Sequence, residues 1–194
     1  ASKPMVSVDT VADLVGRNPV PNERVLLSGF RSAGDFGPQR IVRHDPSSVA
    51  ATNLGCVYAN AGSGRYLAED CGDGEVDARW FGATPDGATD NSDYINAAIV
   101  YAASAGKVAM LGGAGDYYVT NSIELPSNAY LRGTPGAYLV RNFRADTGGY
   151  ADPGTATIRN SSNTGYPADG ELSITETNIV LDGVCVRSTG TNNI

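Results

Sequence analysis

Apolar residues recur near the middle of the chain at positions i, i+3, i+4 and i+7, which form one face of a helix. These residues are Ile95, Ala98, Ile99 and Ala102. Asp90 or Asn91 can cap the first turn, because a short side-chain oxygen accepts hydrogen bonds from N–H groups that lack a partner within the helix. Gly106 is a suitable residue to end the helix. The pattern therefore predicts a short amphipathic helix with one buried face.

Short apolar runs separated by glycine-rich turns follow this helix. We expect a buried strand over residues 107–111, a turn over residues 112–116 and a second strand over residues 117–120, so that the two strands form a hairpin. Further short strands are expected over residues 123–125 and 130–132. One helix that leads into many short strands is not an alternating β/α pattern. It indicates a helix that caps the end of a stack of strands.

The earlier part of the chain has a weaker pattern of short apolar runs. The expected elements are a brief helix over residues 10–15, strands over residues 24–28 and 39–43, and a hairpin made by residues 57–59 and 65–67. Asp9 or Thr10 is placed to cap the brief helix, and Gly16 to stop it. Residues 1–8 are expected to be an extended tail rather than a packed element.

Several residue runs around the central helix resemble one protein family. They are Phe81-Gly82-Ala83, Pro85-Asp86-Gly87 and Thr89-Asp90 before the helix, and Gly115-Asp116-Tyr117-Tyr118-Val119 and Leu131-Arg132-Gly133 after it. Within about residues 76–141, these runs are similar to the start of the right-handed parallel β-helix in the pectate-lyase-like family. That family includes phage tailspikes, capsular depolymerases and some free glycosidases and lyases. The chain departs from it in having no proline in the turn between Gly112 and Tyr117.

The resemblance implies a mainly β fold, in which a small N-terminal β domain precedes the start of a right-handed parallel β-helix with one capping α-helix. Three more runs resemble the small β domain that precedes the β-helix in many tailspikes, namely Thr10-Val11-Ala12-Asp13-Leu14, Val25-Leu26-Leu27-Ser28-Gly29-Phe30 and Gly34-Asp35-Phe36-Gly37. A polar, glycine-containing stretch over residues 71–75 is typical of a boundary. The expected divisions are a tail (1–8), a virion-attachment domain (9–72), a linker (73–77) and the start of the β-helix (78–194).

The last patterned stretch, residues 178–187, resembles one rung of a parallel β-helix. The residues expected to point inward are Ile179, Leu181, Val184 and Val186, and Asp182-Gly183 is expected to turn the corner. One rung cannot bury its inner face alone, so we expect the sequence to be the N-terminal part of a longer spike. Residues 141–170, with a strand-like island over residues 155–159, are expected to form a long loop that either recognises a ligand or is only solvated.

Composition and charge exclude some classes of function. The formal net charge is −7 and the chain has only two lysines, Lys3 and Lys107, so its field repels a phosphate backbone and nucleic acid is not an expected partner. The sequence has no basic run typical of membrane-surface binding and no apolar stretch long enough to insert in a membrane. It also shows no signal peptide, so synthesis in the host cytoplasm is expected.

The three cysteines, Cys56, Cys71 and Cys185, match no zinc-binding spacing. Buried free thiols are favoured over a bridge between Cys56 and Cys71, because nothing in the sequence indicates an oxidising compartment. The bridge stays as the alternative if the pair faces across a small β unit.

The resemblance implies the N-terminal part of a phage tailspike or tail fibre in the virion tail. Its partners would be phage tail or adaptor proteins at the N-terminal domain and a host surface polysaccharide at the β-helix, and it would form a homotrimer. The alternatives are a free polysaccharide lyase or glycoside hydrolase and a noncatalytic carbohydrate-binding adhesin. Fold resemblance does not decide whether the protein cleaves its ligand.

The sequence identifies no catalytic residue, cofactor or metal site. Polysaccharide cleavage requires two suitably placed carboxyl groups or an acid and a base. The later carboxylates are Asp146, Asp152, Asp169, Glu171, Glu176 and Asp182, and a solvated or turn-forming role is favoured for each. His44, the only histidine, is expected at the surface in a loop beside Asp45. An active site, if there is one, is expected beyond residue 194.

Overall fold

The N-terminal part of the molecule is a five-stranded sheet with a short helix beside it. The structure is a computed structural model that describes residues 5–72, 74–141, 158–160 and 178–188. The elements are β1 (Val6–Val8), α1 (Val11–Val15), β2 (Arg24–Leu27), β3 (Arg40–Asp45), β4 (Val57–Tyr58) and β5 (Arg65–Ala68). In space the strands follow the order β1, β2, β3, β5, β4. The strand β1 is parallel to β2, and the other pairs are antiparallel.

Sequence patterns located most of these elements. Thr10 caps α1 and exchanges hydrogen bonds with Asp13, and the backbone N–H of Gly16 closes the helix, as predicted. The predicted hairpin is the antiparallel pair of β4 and β5. Residues 6–8 were predicted as tail, which is wrong, because they form β1 and Val8 joins the core of the sheet. A run of three residues is too short to show alternation.

The second part is a parallel β-helix, which confirms the predicted fold class. Its strands are β6 (Glu75–Asp77), β7 (Val108–Leu111), β8 (Gly115–Tyr118), β9 (Ile123–Leu125), β10 (Tyr130–Gly133), β11 (Ala137–Arg141), β12 (Ile158–Asn160), β13 (Val180–Asp182) and β14 (Cys185–Ser188). Successive rungs stack them into three parallel sheets, namely β6 with β7, β10 and β13, then β8 with β11 and β14, then β9 with β12.

Apolar side chains line the inside of the rungs. In the first sheet Ala109, Leu131 and Leu181 lie side by side in register, and the first two are almost fully buried. Residues in register on adjacent parallel strands point to the same face of the sheet. Leu181 therefore points inward as predicted, although it is 49% exposed in the last rung that the structure describes. Gly183, with φ of 64°, separates β13 from β14 at the predicted corner.

The glycine-rich turn after β7 is a corner of the β-helix rather than a hairpin, so that prediction is wrong. The strands β7 and β8 lie in different sheets, and each pairs with the next rung. Gly112 fits this corner because a Cβ there would lie 1.9 Å from Oδ2 of Asp77. Gly113 has φ of 81°, a conformation that glycine adopts readily. A turn of this composition suits both structures, and only pairing with other rungs distinguishes them.

The central helix α2 (Ser92–Ser104) covers the end of the stack, as predicted. The predicted face is buried, with Ile95 fully inaccessible and Ile99 at 1% exposure. Asn91 is the capping residue by position, but its side chain donates to backbone oxygens of Thr84 and Tyr118 instead of capping the helix. The residue thereby ties the loop before α2 to the first rung.

The predicted linker is in part a strand, because residues 75–77 form β6 within the β-helix. The chain reaches β6 through a 3₁₀ turn, η1 (Glu69–Gly72), and leaves it through another, η2 (Ala78–Phe81). The five-stranded sheet packs directly on this region, since Ala68 and Trp80 contact the cores of both parts. Residues 75–77 therefore do not form a linker between the two parts, because they belong to the β-helix.

Arg40 lies at the centre of the contact between the two parts. Its side chain is 1% exposed, and its Nε and Nη2 donate to Asp70 at 2.8 and 2.7 Å. Its Nη1 donates to the carbonyl of Gly55 at 2.5 Å and to the hydroxyl of Tyr58 at 3.0 Å. The guanidinium carbon lies 4.0 Å from the ring centre of Trp80 in η2. A single buried cation thus joins strand, loop and turn at the junction.

Cys56 and Cys71 form a disulfide, so the prediction of free thiols is wrong for this pair. Their Cα atoms are 6.0 Å apart, within the range that a disulfide spans. The alternative of a bridge across a small β unit is correct, because Cys56 precedes β4 and Cys71 lies in η1. Cys185 is a free, exposed thiol.

Candidate functional site

Polar side chains cluster on the outer face of the first parallel sheet. Tyr130 and Arg132 lie two residues apart on β10 and therefore share a face, and Asp182 is in register with Arg132 on the next rung. Glu75 lies on the opposite side of β10 from Asp182, on β6, with β7 between β6 and β10. These four residues are called the outer cluster. The rungs bring them together from positions up to 107 residues apart, the separation of residues 75 and 182.

Arg132 is the centre of the outer cluster. Its Nη1 donates to Oε1 of Glu75 at 2.7 Å, and its Nε donates to Oδ2 of Asp182 at 3.0 Å. Its Nη2 donates to the hydroxyl of Tyr130 at 3.2 Å, and that hydroxyl donates to Asp182 at 3.2 Å. The hydrogen bonds to Tyr130 and Asp182 raise the pKa of Arg132. The guanidinium stays charged and holds both carboxylates on one exposed surface.

The geometry of the outer cluster differs from that of a glycosidase active site. A glycosidase places the scissile bond between its two carboxyl groups. Here Arg132 occupies the space between Glu75 and Asp182, which are 47% and 51% exposed. Exposed carboxylates accept hydrogen bonds, a guanidinium donates them, and the Tyr130 ring offers a flat apolar face. This combination suits a hydroxyl-rich ligand.

A second polar group lies on the outer face of the neighbouring sheet. The guanidinium carbon of Arg187 on β14 lies 3.3 Å from the ring centre of Tyr138 on β11. Nη1 of Arg187 also lies 3.4 Å from a carboxylate oxygen of Asp116 on β8, and both side chains are nearly half exposed. Three successive rungs thus contribute one residue each. The polar surface therefore continues around the corner from the outer cluster.

Of the six later carboxylates considered from the sequence, the structure describes only Asp182. Its side chain is 51% exposed, as the predicted solvated role requires, and it also forms an ion pair with Arg132 from the end of β13. Asp146, Asp152, Asp169, Glu171 and Glu176 lie outside the described residues. Sequence reasoning missed Glu75, because it was assigned to a linker. The sequence signal for the outer cluster was the spacing of Tyr130 and Arg132, two polar residues that share the outward face of a predicted strand.

His44 is not at the surface in a loop, contrary to the prediction. It lies in β3 and is 2% exposed, because Arg40, Val42 and His44 alternate toward the interior of the sheet. Its Nε2 lies 3.0 Å from the carbonyl oxygen of Ser63. The side chain is part of the packed sheet and does not face the outer cluster.

The part of the chain that the structure describes contains neither a group of metal-binding side chains nor a membrane-spanning helix. Within it, no three or more histidine, cysteine, aspartate or glutamate side chains are grouped closely enough to hold a metal ion. No helix in the same residues has the length and apolar character needed to cross a bilayer.

No protein-family model and no curated protein sequence matches the chain. Solved structures do match it. Full-length tailspike protein 2 from an Escherichia coli O157:H7 bacteriophage is 21% identical with a TM-score of 0.62, over 92% of this chain and 20% of that chain. A tailspike of Acinetobacter baumannii bacteriophage Fri1, a capsular polysaccharide depolymerase, is 15% identical with a TM-score of 0.59, over 95% of this chain and 38% of that chain.

A third similar structure is WceF of Pantoea stewartii, a glycan biofilm modifying enzyme with a bacteriophage tailspike-like parallel β-helix fold. It is 16% identical with a TM-score of 0.60, over 97% of this chain and 28% of that chain. The chain thus spans between one fifth and two fifths of the length of these three proteins. At these identities the likeness establishes the fold.

Proposed function

We propose that this chain, which has the tailspike-like parallel β-helix fold, is part of a bacteriophage tailspike that binds a polysaccharide on the host surface. The observation that carries the proposal is the agreement with phage tailspikes over 92% and 95% of the chain. One of those tailspikes is a capsular polysaccharide depolymerase, and we assign the same class of ligand to this protein.

The outer faces of the parallel sheets support a carbohydrate ligand. Exposed carboxylates, a guanidinium and the ring of Tyr130 lie within one cluster, and Arg187 and Tyr138 extend the polar surface to the next sheet. A polysaccharide presents hydroxyl groups along its length and apolar faces on its sugar rings. Stacked rungs suit an extended ligand because they place the outward side chains of successive strands side by side at a spacing of roughly 4.8 Å.

We assign virion attachment to the five-stranded sheet, which consists of β1 (Val6–Val8) and strands within residues 9–72, with tail or adaptor proteins as its partners. The support is its position before the β-helix and its resemblance to the small domain of tailspikes. The protein would be synthesised in the host cytoplasm, assemble as a homotrimer and be carried in the virion tail. The buried contact through Arg40 would hold the β-helix in a fixed orientation to the attachment domain.

A free polysaccharide-modifying enzyme is the second candidate. The observation that favours it is the likeness to the Pantoea stewartii enzyme, which matches 97% of the chain. Cleavage would require catalytic groups outside the outer cluster, since Arg132 fills the space between its carboxylates. A noncatalytic adhesin would bind the same ligands without shortening them.

Three measurements separate these functions. Purified capsular polysaccharides and lipopolysaccharides from a panel of bacteria are immobilised, and binding of the full-length protein is measured by interferometry. The same polysaccharides are incubated with the protein and sized by gel filtration, where shortened chains identify a depolymerase. Density-gradient fractions of a lysate are then probed with an antibody to the protein. The tailspike proposal requires the protein in the infective particle band, and its presence only at the top of the gradient contradicts virion attachment.

A further inference from the structure

The disulfide between Cys56 and Cys71 lies at the contact between the five-stranded sheet and the β-helix. Both cysteines belong to the hydrophobic core of the β-helix, at 3% and 7% exposure, although the chain passes through them before β6 begins. The bond closes a segment of 15 residues that contains the β4–β5 hairpin. It therefore fixes this hairpin to the turn that leads into the β-helix.

Arg40 holds the same two segments without a covalent bond. Its guanidinium donates to the carbonyl of Gly55, which precedes Cys56, and to the carboxylate of Asp70, which precedes Cys71. Its Nη2 also lies 3.0 Å from Sγ of Cys71. These charge-assisted hydrogen bonds join the same two segments that the disulfide joins, and they do not require the bond between the sulfur atoms. A disulfide and a set of hydrogen bonds thus join the same two segments at the junction.

We propose that the Cys56 and Cys71 pair is a redox-controlled lock on this junction, open during synthesis and closed after release from the cell. This inference rests on the proposed function, in which the protein is made in a reducing cytoplasm and acts outside it. Cytoplasmic thiols are kept reduced, whereas disulfides persist in the extracellular medium. Arg40 allows the reduced chain to fold, and the bond then makes the junction permanent.

The oxidant is a low-molecular-weight disulfide such as glutathione disulfide. The thiolate of Cys71 attacks one sulfur of the oxidant, forms a mixed disulfide and releases one thiol. The thiolate of Cys56 then attacks Sγ of Cys71 and releases the second thiol. Two protein thiols lose two electrons, the oxidant gains them, and the two protons end on the released thiols.

The test compares the full chain in its two redox states. The protein is purified in buffer that contains a phosphine reductant, and half of it is then oxidised with glutathione disulfide. Alkylation followed by mass spectrometry of the intact protein gives the number of free thiols in each half. Both forms are expected to show the same circular dichroism and elution volume. The reduced form is expected to melt about 6–12 °C lower, the effect of opening a loop of this length in a domain of this size. The double variant C56S/C71S should melt like the reduced form under both conditions, whereas C185S should keep the difference.

Three outcomes would overturn the proposal. Equal melting temperatures would mean that the bond locks nothing, and an unfolded reduced chain would mean that the bond is required for folding. A bond already formed in cells that are alkylated during lysis would exclude closure after release. Polysaccharide binding is measured separately on both forms, so a failure of the proposed function stays distinguishable from a failure of the lock.

Discussion

Removal of Asp70 should destabilise the protein more than removal of its ion-pair partner Arg40, although either change breaks the same pair. The reason is the difference in exposure, since the side chain of Arg40 is 1% exposed and that of Asp70 is 34% exposed. When Arg40 is removed, the carboxylate of Asp70 is exposed enough to be hydrated by water. When Asp70 is removed, the guanidinium of Arg40 stays buried without a carboxylate partner. Breaking a buried pair so that one charge stays unpaired costs about 3–5 kcal/mol.

The magnitude for each variant follows from the contacts that remain. In Asp70→Ala, Arg40 keeps its hydrogen bonds to Gly55, Tyr58 and Sγ of Cys71 but loses its carboxylate partner, and we expect a loss of about 3–5 kcal/mol. In Arg40→Met, the carbonyl of Gly55 keeps the Tyr58 hydroxyl at 2.8 Å, so no buried acceptor is left without a partner. The loss is then about 2–3 kcal/mol, from the charge-assisted hydrogen bonds and the contact with Trp80.

The assay is equilibrium unfolding in urea at neutral pH with the disulfide intact. The double variant R40M/D70A is expected to be more stable than Asp70→Ala alone, because it removes the unpaired buried charge. Arg24→Met is the matched control, since the ion pair of Arg24 with Glu69 is exposed and is worth less than about 1 kcal/mol. A larger loss for Arg40→Met than for Asp70→Ala would refute the reasoning, as would losses equal to that of the control.

Three other substitutions test the β-helix and its cap. Gly112→Ala places a Cβ 1.9 Å from a carboxylate oxygen, so it should destabilise the protein by about 1–3 kcal/mol in urea unfolding. The control Gly16→Ala, whose Cβ would have its nearest contact at 3.4 Å, should change the stability by less than about 0.5 kcal/mol. Ile99→Ala should lower stability by about 2–5 kcal/mol, and Val100→Ala on the exposed side of the same helix should have little effect. Burial opposes ionisation of Asp90, but hydrogen bonds from two hydroxyl groups outweigh it and lower the pKa of Asp90. This carboxylate therefore stabilises the fold above about pH 4 and loses that contribution as the pH falls further, so Asp90→Asn should show a smaller loss of melting temperature between neutral and acid pH.

The spacing of apolar residues along the sequence was sufficient to place those helices and strands that bury one face. The spacing of Ile95 and Ile99 located α2, and the runs that resemble the tailspike family correctly indicated a stack of strands after it. The same local information mistook the corner at Gly112 for a hairpin, because a hairpin and a corner have the same turn residues. Only the register of β7 with β10 decides between them.

The outer cluster was beyond local reasoning for a different physical reason. Glu75 and Asp182 meet at Arg132 only because successive rungs stack, and the sequence contains no motif that records the register of rungs so far apart. The disulfide is a similar case. The compartment argument favoured free thiols, whereas the contacts of Arg40 bring Cys56 and Cys71 together independently of any compartment.

Polysaccharide binding by an outer-cluster variant tests the central claim most directly. The full-length protein, Arg132→Gln and the control Asp93→Asn, an exposed change on α2, are compared on the same panel of immobilised capsular polysaccharides and lipopolysaccharides. Loss of a charged hydrogen bond should weaken binding by Arg132→Gln about 10-fold or more, with Asp93→Asn equal to the unmodified protein. Equal binding by all three proteins, or no binding to any polysaccharide in the panel, would contradict the account.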